Sequence, residues 1–189
     1  MGNRRFNLTM IDFYDEWDSC MKCTRIASCH KVHYRGPSRP LILFIGDTPS
    51  LSDTVTKQTF SGYAGSLLNQ LAKDCSLPRE KFGVTTLVAC AAVKDRHPSI
   101  LRDPTAEEVE NCSGRLDELI ETLLPTYYIA LGAVAKKYAP TGITYSLDLS
   151  SPTQWEKSGG DMALSYKRDR HKLKKFLREI DYGKKTKTI

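Results

Sequence analysis

The chain has 189 residues, a length that fits one α/β domain with a sizeable core. Its 28 Lys and Arg outnumber its 22 Asp and Glu, for a net charge of +6. It contains no apolar run of the roughly 18 residues that a transmembrane helix needs, and no apolar segment typical of a signal peptide follows the first residues. We therefore expect a cytoplasmic protein, in which the six cysteines do not serve as disulfides.

The positive charge is concentrated near the carboxyl terminus. Residues 165–189 contain ten basic and three acidic residues, whereas the rest of the chain contains 18 basic and 19 acidic residues. This surplus predicts a contact with a phosphate backbone. A solvated helix face followed by a loose tail explains it equally well, and we expect residues 183–189 to form a basic flexible tail.

The amino-terminal part predicts a short amphipathic element within residues 1–19 and then a Cys-x-x-Cys motif, Cys20 and Cys23. Such a motif alone suits zinc, an iron–sulfur cluster or a redox pair. Cys29 lies close to the motif, and its role stays open. Cys75 falls on the apolar stripe of a later predicted helix and is most simply a core residue.

A buried strand comes next in the chain. Residues 41–45 are all apolar, which is typical of a strand covered on both faces of a parallel sheet. The strand ends at Gly46, and the turn with Asp47 and Thr48 follows at its carboxyl end, where open α/β sheets bind ligands. Phe60 precedes a predicted helix over residues 62–75. Its ring is either a stacking platform over this crevice or a plug of the core.

The remaining elements alternate between strand and helix. We predict strands over 84–90, 127–131 and 143–149, helices from Thr105 and over 133–138 and 165–180, and loops over 91–104 and 152–161. This alternation predicts an α/β fold, a three-layer α/β/α sandwich with a central parallel four-stranded sheet. A single domain over residues 1–182 is expected.

Four cysteines occupy positions that indicate one shared site. Cys20 and Cys23 are near the amino terminus, Cys90 ends the second predicted strand, and Cys112 lies in the helix after it. Four thiolates gathered from distant segments suit a [4Fe–4S] cluster or a structural zinc ion, and the spacing alone does not decide between them.

Short motifs follow one another along the same part of the chain. In order they are Cys20-x-x-Cys23, Gly46-Asp-Thr-Pro-Ser50, Thr59-Phe-Ser-Gly-Tyr-Ala-Gly-Ser-Leu-Leu68, Thr86-Leu-Val-Ala-Cys90, Pro104-Thr-Ala-Glu-Glu108 before Cys112, and Ala130-Leu-Gly132. With these motifs the chain resembles the family 4 uracil-DNA glycosylases, the iron–sulfur branch of their superfamily, over roughly residues 18–135. The resemblance implies that superfamily's fold, a structural [4Fe–4S] cluster held by the four cysteines, and removal of uracil flipped out of DNA.

The resemblance also implies roles for individual residues. Phe60 matches the aromatic residue that stacks on the base. Asp47 stands where the family has Glu and is the candidate for positioning water. The turn amides around Gly46 and Thr48 are candidates for binding the base or its sugar–phosphate. Thr86 occupies the position of the Asn that reads the base edge, so a hydroxyl replaces an amide.

The late His-Pro-Ser motif of the family has only a partial match here, at residues 150–153, and Ser151 is its candidate binding residue. The histidine that stabilises the departing base is absent from that match. His97 begins a His-Pro-Ser sequence between Cys90 and Cys112, and a related branch of the superfamily places its reactive histidine in that loop. His97 is therefore either catalytic from an unusual direction or a surface-loop residue, whereas His171 faces DNA or solvent.

The predicted function is hydrolysis of the N-glycosidic bond of uracil in DNA. The replacement of Asn by Thr leaves a glycosylase for another modified pyrimidine as one alternative. Loss of both the Asn and the late histidine leaves a catalytically silent, DNA-binding replication or repair accessory protein as another. We expect a monomer that binds DNA and no membrane, with a replication or repair protein as a candidate partner.

Overall fold

The computed structural model describes residues 9–23, 30–140 and 142–180. The central sheet has five strands in the order β1-β3-β2-β6-β7. They are β1 (Tyr34–Arg35), β2 (Ile42–Gly46), β3 (Phe82–Thr86), β6 (Tyr127–Leu131) and β7 (Leu147–Leu149), while β4 (Val93–Lys94) and β5 (His97–Leu101) form a separate hairpin. The helices are α1 (Met10–Asp18), α2 (Leu51–Thr56), α3 (Tyr63–Asp74), α4 (Ala106–Leu123), α5 (Ala133–Lys137), α6 (Pro152–Lys157) and α7 (Leu164–Glu179), with 3₁₀ turns at Arg79–Lys81 and Gly160–Met162.

The four strands β3, β2, β6 and β7 are parallel, which confirms the predicted sheet. The two-residue β1 adds an antiparallel fifth strand against β3 at the edge. Residue Ile42 lies opposite both Phe82 and Tyr127, and Gly46 lies opposite Thr86. Neighbouring strands therefore end at the same level, and the residues that follow them meet at one edge of the sheet.

Helices cover both faces of the sheet, because β2 sends alternate side chains to opposite sides. Ile42 and Phe44 belong to a core built with α3, α6 and α7. Leu43 and Ile45 belong to a second core built with α1 and α4. All four side chains have no exposed surface. The predicted three-layer α/β/α architecture is confirmed.

Several segments predicted from the sequence differ in the structure. The strand predicted over 143–149 covers only Leu147–Leu149. The strand predicted over 84–90 covers Phe82–Thr86 and ends early, since the Thr86 hydroxyl donates to the carbonyl of Val88 and the chain bends. The predicted loop 91–104 contains the hairpin β4–β5, whose second strand tolerates Pro98 because its edge is unpaired in the described structure. The predicted loop 152–161 contains α6 and a 3₁₀ turn.

Some expectations fall beyond the described residues. Cys29 and the expected tail over 183–189 lie outside the described ranges. Within those ranges, no helix combines the length and the apolar character that crossing a membrane requires.

Candidate functional site

The carboxyl edge of the sheet places the predicted base-binding residues side by side. Gly46 and Thr86 are the paired last residues of β2 and β3. The turn after β3 is held to the turn after β2, because Leu87 N donates to Gly46 O at 2.9 Å and Val88 N donates to Asp47 O at 3.3 Å. The edge is therefore a fixed backbone surface that carries Asp47.

The ring of Phe60 lies directly on this edge. A Cβ added to Gly46 would lie 2.7 Å from Cζ of Phe60 and 3.6 Å from Cγ2 of Thr86. A side chain at this position would force the ring to shift, so the absence of a Cβ at Gly46 allows the close approach. Phe60 itself has φ 55°, a left-handed conformation that is costly for a bulky side chain and needs support from its surroundings.

Asp53 supplies much of that support. This carboxylate on α2 is 4% exposed. Its Oδ1 accepts from Ser61 N at 2.6 Å and from Ser61 Oγ at 2.8 Å, while its Oδ2 accepts from Ser50 N at 3.0 Å. One side chain therefore joins the turn after β2 to the residue that follows Phe60.

The first turn of α3 holds Phe60 from the other side. A Cβ at Gly65 would lie 1.8 Å from the carbonyl oxygen of Phe60, so no side chain fits there. The spacing Phe60-x-x-x-x-Gly65 consequently lets the backbone of the Phe60 loop rest directly on the helix.

Asp47 directly follows Gly46 at this edge of the sheet and is partly buried. Burial raises the pKa of Asp47, the backbone N–H of Thr48 that bonds Oδ1 at 2.8 Å lowers it, and the charge of Asp103 raises it. A raised pKa brings a carboxylate closer to the range in which it exchanges protons with water, a property common at functional sites.

The two threonine hydroxyls near Asp47 have partners inside the protein. Thr86 is 1% exposed, and its Oγ1 donates to Val88 O at 2.8 Å. This leaves Thr86 the capacity to accept a hydrogen bond. Thr48 Oγ1 donates to Cys90 O at 3.1 Å and accepts from Ala92 N at 3.0 Å, which ties the turn after β2 to the base of the hairpin.

Ser151 lies at the same edge, two residues after β7. A Cβ at Gly132, the residue after β6, would lie 3.1 Å from Ser151 Cβ. Asp169 of α7 holds this segment, because its buried Oδ2 accepts from Ser150 N at 2.9 Å and from Trp155 Nε1 at 3.0 Å. Ser151 Oγ accepts from Gln154 N at 3.2 Å.

His97 is placed differently. It begins β5, pairs with Lys94 across the hairpin and is exposed to solvent. The hairpin starts at Val93, directly after Ala92, and the bond from Ala92 N to Thr48 Oγ1 holds its base against the turn after β2. The catalytic role of His97 stays a prediction.

The four predicted ligand cysteines line one pocket. Its walls are formed by the amino-terminal segment, the turn after β3 and helix α4, and include Trp17, Cys20, Lys22, Cys23, Lys31, Ala89, Cys90, Asn111, Cys112 and Arg115. Helix α1 packs on α4 here, with Trp17 Nε1 donating to Glu118 Oε2 at 3.0 Å. Val32 N donates to Ala89 O at 2.7 Å, and this bond joins the segment before β1 to the turn after β3 beside the pocket.

These thiols are spread around the pocket walls. In the described ranges, no three His, Cys, Asp or Glu side chains converge tightly enough to hold a single ion. Burial raises the pKa of Cys23, the hydrogen bond with Asn111 lowers it, and the charges of Cys112, Glu108 and Cys20 raise it. Cys20 and Cys112 are thus close enough to Cys23 for their charges to affect its pKa.

Three functional candidates carry no strong sequence signal. Asp53 is recognisable only as the fourth residue of a capping box with Ser50. Arg115 interrupts the apolar stripe of α4 and yet is fully buried. Asp169 stands within a basic helix and has no local pattern that marks it.

Comparison with known proteins places these features in a family. Residues 33–179 match the family model described as "Uracil DNA glycosylase superfamily". A type-4 uracil-DNA glycosylase of Archaeoglobus fulgidus is 30% identical over 132 residues, which cover 67% of this chain and 61% of that protein. One of Saccharolobus solfataricus is 34% identical over 127 residues, covering 66% and 56%. The chain therefore spans a little over half the length of these relatives.

A solved structure shares the fold. The solution structure of a putative uracil DNA glycosylase from Methanosarcina acetivorans superposes with a TM-score of 0.51 and covers 77% of this chain and 96% of that one. At 14% sequence identity, this similarity concerns the fold alone.

Proposed function

This chain is a member of the uracil DNA glycosylase superfamily, and on that premise we propose that it hydrolyses the N-glycosidic bond of uracil flipped out of DNA. The observation that carries the proposal is the ring of Phe60, which lies against Gly46 at the strand end that leads directly into Asp47. The relatives that bear the name type-4 uracil-DNA glycosylase support the same reaction.

Each residue at the edge has a task in this reaction. Phe60 stacks on the extruded base, as an aromatic face does for any base. The Asp47 carboxylate accepts a hydrogen bond from water and directs its oxygen to the sugar carbon that loses the base. Thr86 accepts a hydrogen bond at the base edge. The hydroxyl of Ser151 keeps its own hydrogen for an oxygen of the departing base, which carries negative charge.

We propose further that Cys20, Cys23, Cys90 and Cys112 hold a structural [4Fe–4S] cluster. The four thiols surround a pocket, as suits four irons that each take one thiolate. A single tetrahedral zinc ion needs the sulfurs to converge at about 2.3 Å from one point, which is the less suitable alternative. The cluster crosslinks α4, the turn after β3 and the amino-terminal segment, and so fixes the edge that carries the base site.

DNA is the proposed partner, and α7 offers the phosphate contacts. Its exposed side chains include Lys167, Arg168, Arg170, Lys174, Lys175 and Arg178. The basic face reaches the base site, because Arg168 Nη2 donates to Ser150 Oγ at 3.1 Å. A cationic helix next to the base site binds the phosphates of the DNA strand while the base is extruded.

The test is a glycosylase assay on a single-stranded oligonucleotide with one uracil, using anaerobically purified protein. We expect abasic sites with the wild type and at least a 100-fold slower reaction with Phe60→Ala, since stacking and positioning are both lost. Iron and sulfide analysis of the same sample tests the cluster. An iron-loaded, folded protein that binds the oligonucleotide without cleaving it would contradict the proposed reaction.

A second candidate is favoured by the geometry of Thr86. Its donated hydrogen bond to Val88 O prevents it from offering the paired donor and acceptor of an amide to uracil. A modified pyrimidine whose edge needs only an acceptor from the protein fits such a site. Running the same assay on oligonucleotides with other modified pyrimidines separates the two candidates by their relative rates.

A further inference from the structure

Arg115 is a fully buried cation between the two sites of this protein. It projects from α4 and has no exposed surface. Its Nη2 donates to the carbonyl of Thr86 and, at 3.2 Å, to that of Leu87. Its Nη1 donates to the carbonyl of His33 at 3.4 Å. The guanidinium therefore holds the backbone at the end of β3, on which the base site depends.

The charge of Arg115 has only neutral partners in the described structure. Its hydrogen-bond acceptors are three carbonyls and the hydroxyl of Thr85. Its Nε is buried and has no hydrogen-bond partner among the described residues. A guanidinium stays protonated in proteins, and a buried charge without a counter-charge is strongly unfavourable. Among the described residues, none of the hydrogen-bond partners of Arg115 is an anion that would balance its charge.

The same side chain lines the pocket of the four cysteines. Four thiolates around a [4Fe–4S] core give the whole group a net negative charge, and its sulfurs accept hydrogen bonds from N–H groups. The unpartnered Nε and the unbalanced charge of Arg115 both match such a neighbour.

We infer that Arg115 is the buried counter-charge of the cluster and, through its other nitrogens, a positioning residue for the base site. This inference rests on the cluster proposed above. A cation beside the cluster favours the form with one more electron, so it raises the reduction potential. Loss of the cluster leaves Arg115 unbalanced and weakens its hold on the end of β3.

The first experiment measures the midpoint potential of the one-electron couple in the iron-loaded protein. We expect Arg115→Met to shift it to a more negative value and Arg115→Lys, which keeps the charge, to stay nearer the wild type. Lys157→Met removes an exposed charge from α6 and is expected to cause no shift. An Arg115→Met protein with full iron content and an unchanged potential would overturn the inference.

The second experiment needs no variant. Hydrogen exchange compares the iron-loaded wild type with the same protein after chelation, at the amides of Leu87 and Val88, which bond the turn after β2. We expect these amides to exchange at least about tenfold faster without the cluster, while the amide of Phe44 in central β2 changes less. Equal rates in both forms would contradict the role of Arg115. Absence of iron from the wild type would refute the cluster itself, which distinguishes the two failures.

Discussion

The carboxylate of Asp53 binds Ser61 twice, accepting from its backbone N at 2.6 Å and from its Oγ at 2.8 Å. Ser61 follows Phe60, whose left-handed backbone needs such an anchor. The buried acid thus positions the proposed stacking ring without touching the base.

We predict that Asp53→Ala destabilises the protein by about 3 kcal/mol, because three hydrogen bonds to a buried carboxylate are lost. Uracil cleavage should fall even at temperatures where the variant is fully folded. Urea unfolding and single-turnover assays measure the two effects separately. Thr56→Ala, on the exposed side of the same helix, serves as the control and should change stability by less than about 0.5 kcal/mol. Undiminished cleavage by folded Asp53→Ala would show that the Phe60 loop needs no anchor.

A second prediction concerns the glycine beneath the ring. Gly46→Ala brings a Cβ to 2.7 Å from Cζ of Phe60, and the ring has to move because its backbone is held by Asp53 and Gly65. We expect about 100-fold slower cleavage, in line with a displacement of about 1 Å in a reacting group, and a stability loss of about 1–2 kcal/mol.

The matched control for Gly46→Ala is Gly114→Ala. The new Cβ there is 3.6 Å from the nearest atom of Trp17, an ordinary contact, and Gly114 lies within α4. Alanine in a helix interior should leave stability unchanged or raise it by up to about 1 kcal/mol. Equal losses of cleavage in both variants would show that the loss in Gly46→Ala is not caused by displacement of the Phe60 ring.

The sequence predicts well whatever depends on local periodicity. The apolar residues 41–45 and the apolar stripe of α3 are buried as expected. The spacing of apolar residues along a strand or a helix directly indicates which of its faces is buried. The edge residues Gly46 and Thr86 were also predictable, because parallel strands of equal length end together. The positions of the four cysteines along the chain indicated one shared site, and the family resemblance was needed to choose a [4Fe–4S] cluster over a zinc ion.

The anchors of the site escape sequence analysis because each depends on a tertiary contact. Asp53 reads as an ordinary helix cap until the Ser61 loop folds back on it. Asp169 meets Ser150 and Trp155 only after α7 packs beside β7. In the sequence, Arg115 is a charged residue on an otherwise apolar stripe. Its burial is explained only by the carbonyls that accept its hydrogen bonds, which are about 30 residues away in sequence.

A third prediction concerns the basic face of α7. Arg168→Gln should weaken binding of single-stranded DNA and reduce the slope of log affinity against log salt by about 0.7, the value for one lost phosphate contact. Lys73→Gln is the control, because Lys73 is an exposed residue in the last turn of α3 and lies outside the basic face of α7. Fluorescence anisotropy across a series of salt concentrations gives both slopes. Identical slopes for wild type and Arg168→Gln would remove this residue from the DNA contact.

The last prediction follows from the pKa of Asp47, which burial raises above the ordinary value for an aspartate. Between the unfolded and the folded pKa, the folded protein binds more protons than the unfolded chain, so stability falls as pH rises through that window. Asp47→Asn removes this penalty and should be more stable than the wild type at neutral pH, with the difference disappearing in acid.

The same substitution should abolish uracil cleavage, because an amide does not orient water as a carboxylate does. The acid limb of the wild-type rate profile should lie above the ordinary aspartate pKa of about 3.9, since only the ionised form accepts the hydrogen bond of water. Thermal unfolding from acid to neutral pH, combined with rates over the same range, tests both halves. An Asp47→Asn variant that is less stable at neutral pH, or still active, would show that this carboxylate serves the fold and not the chemistry.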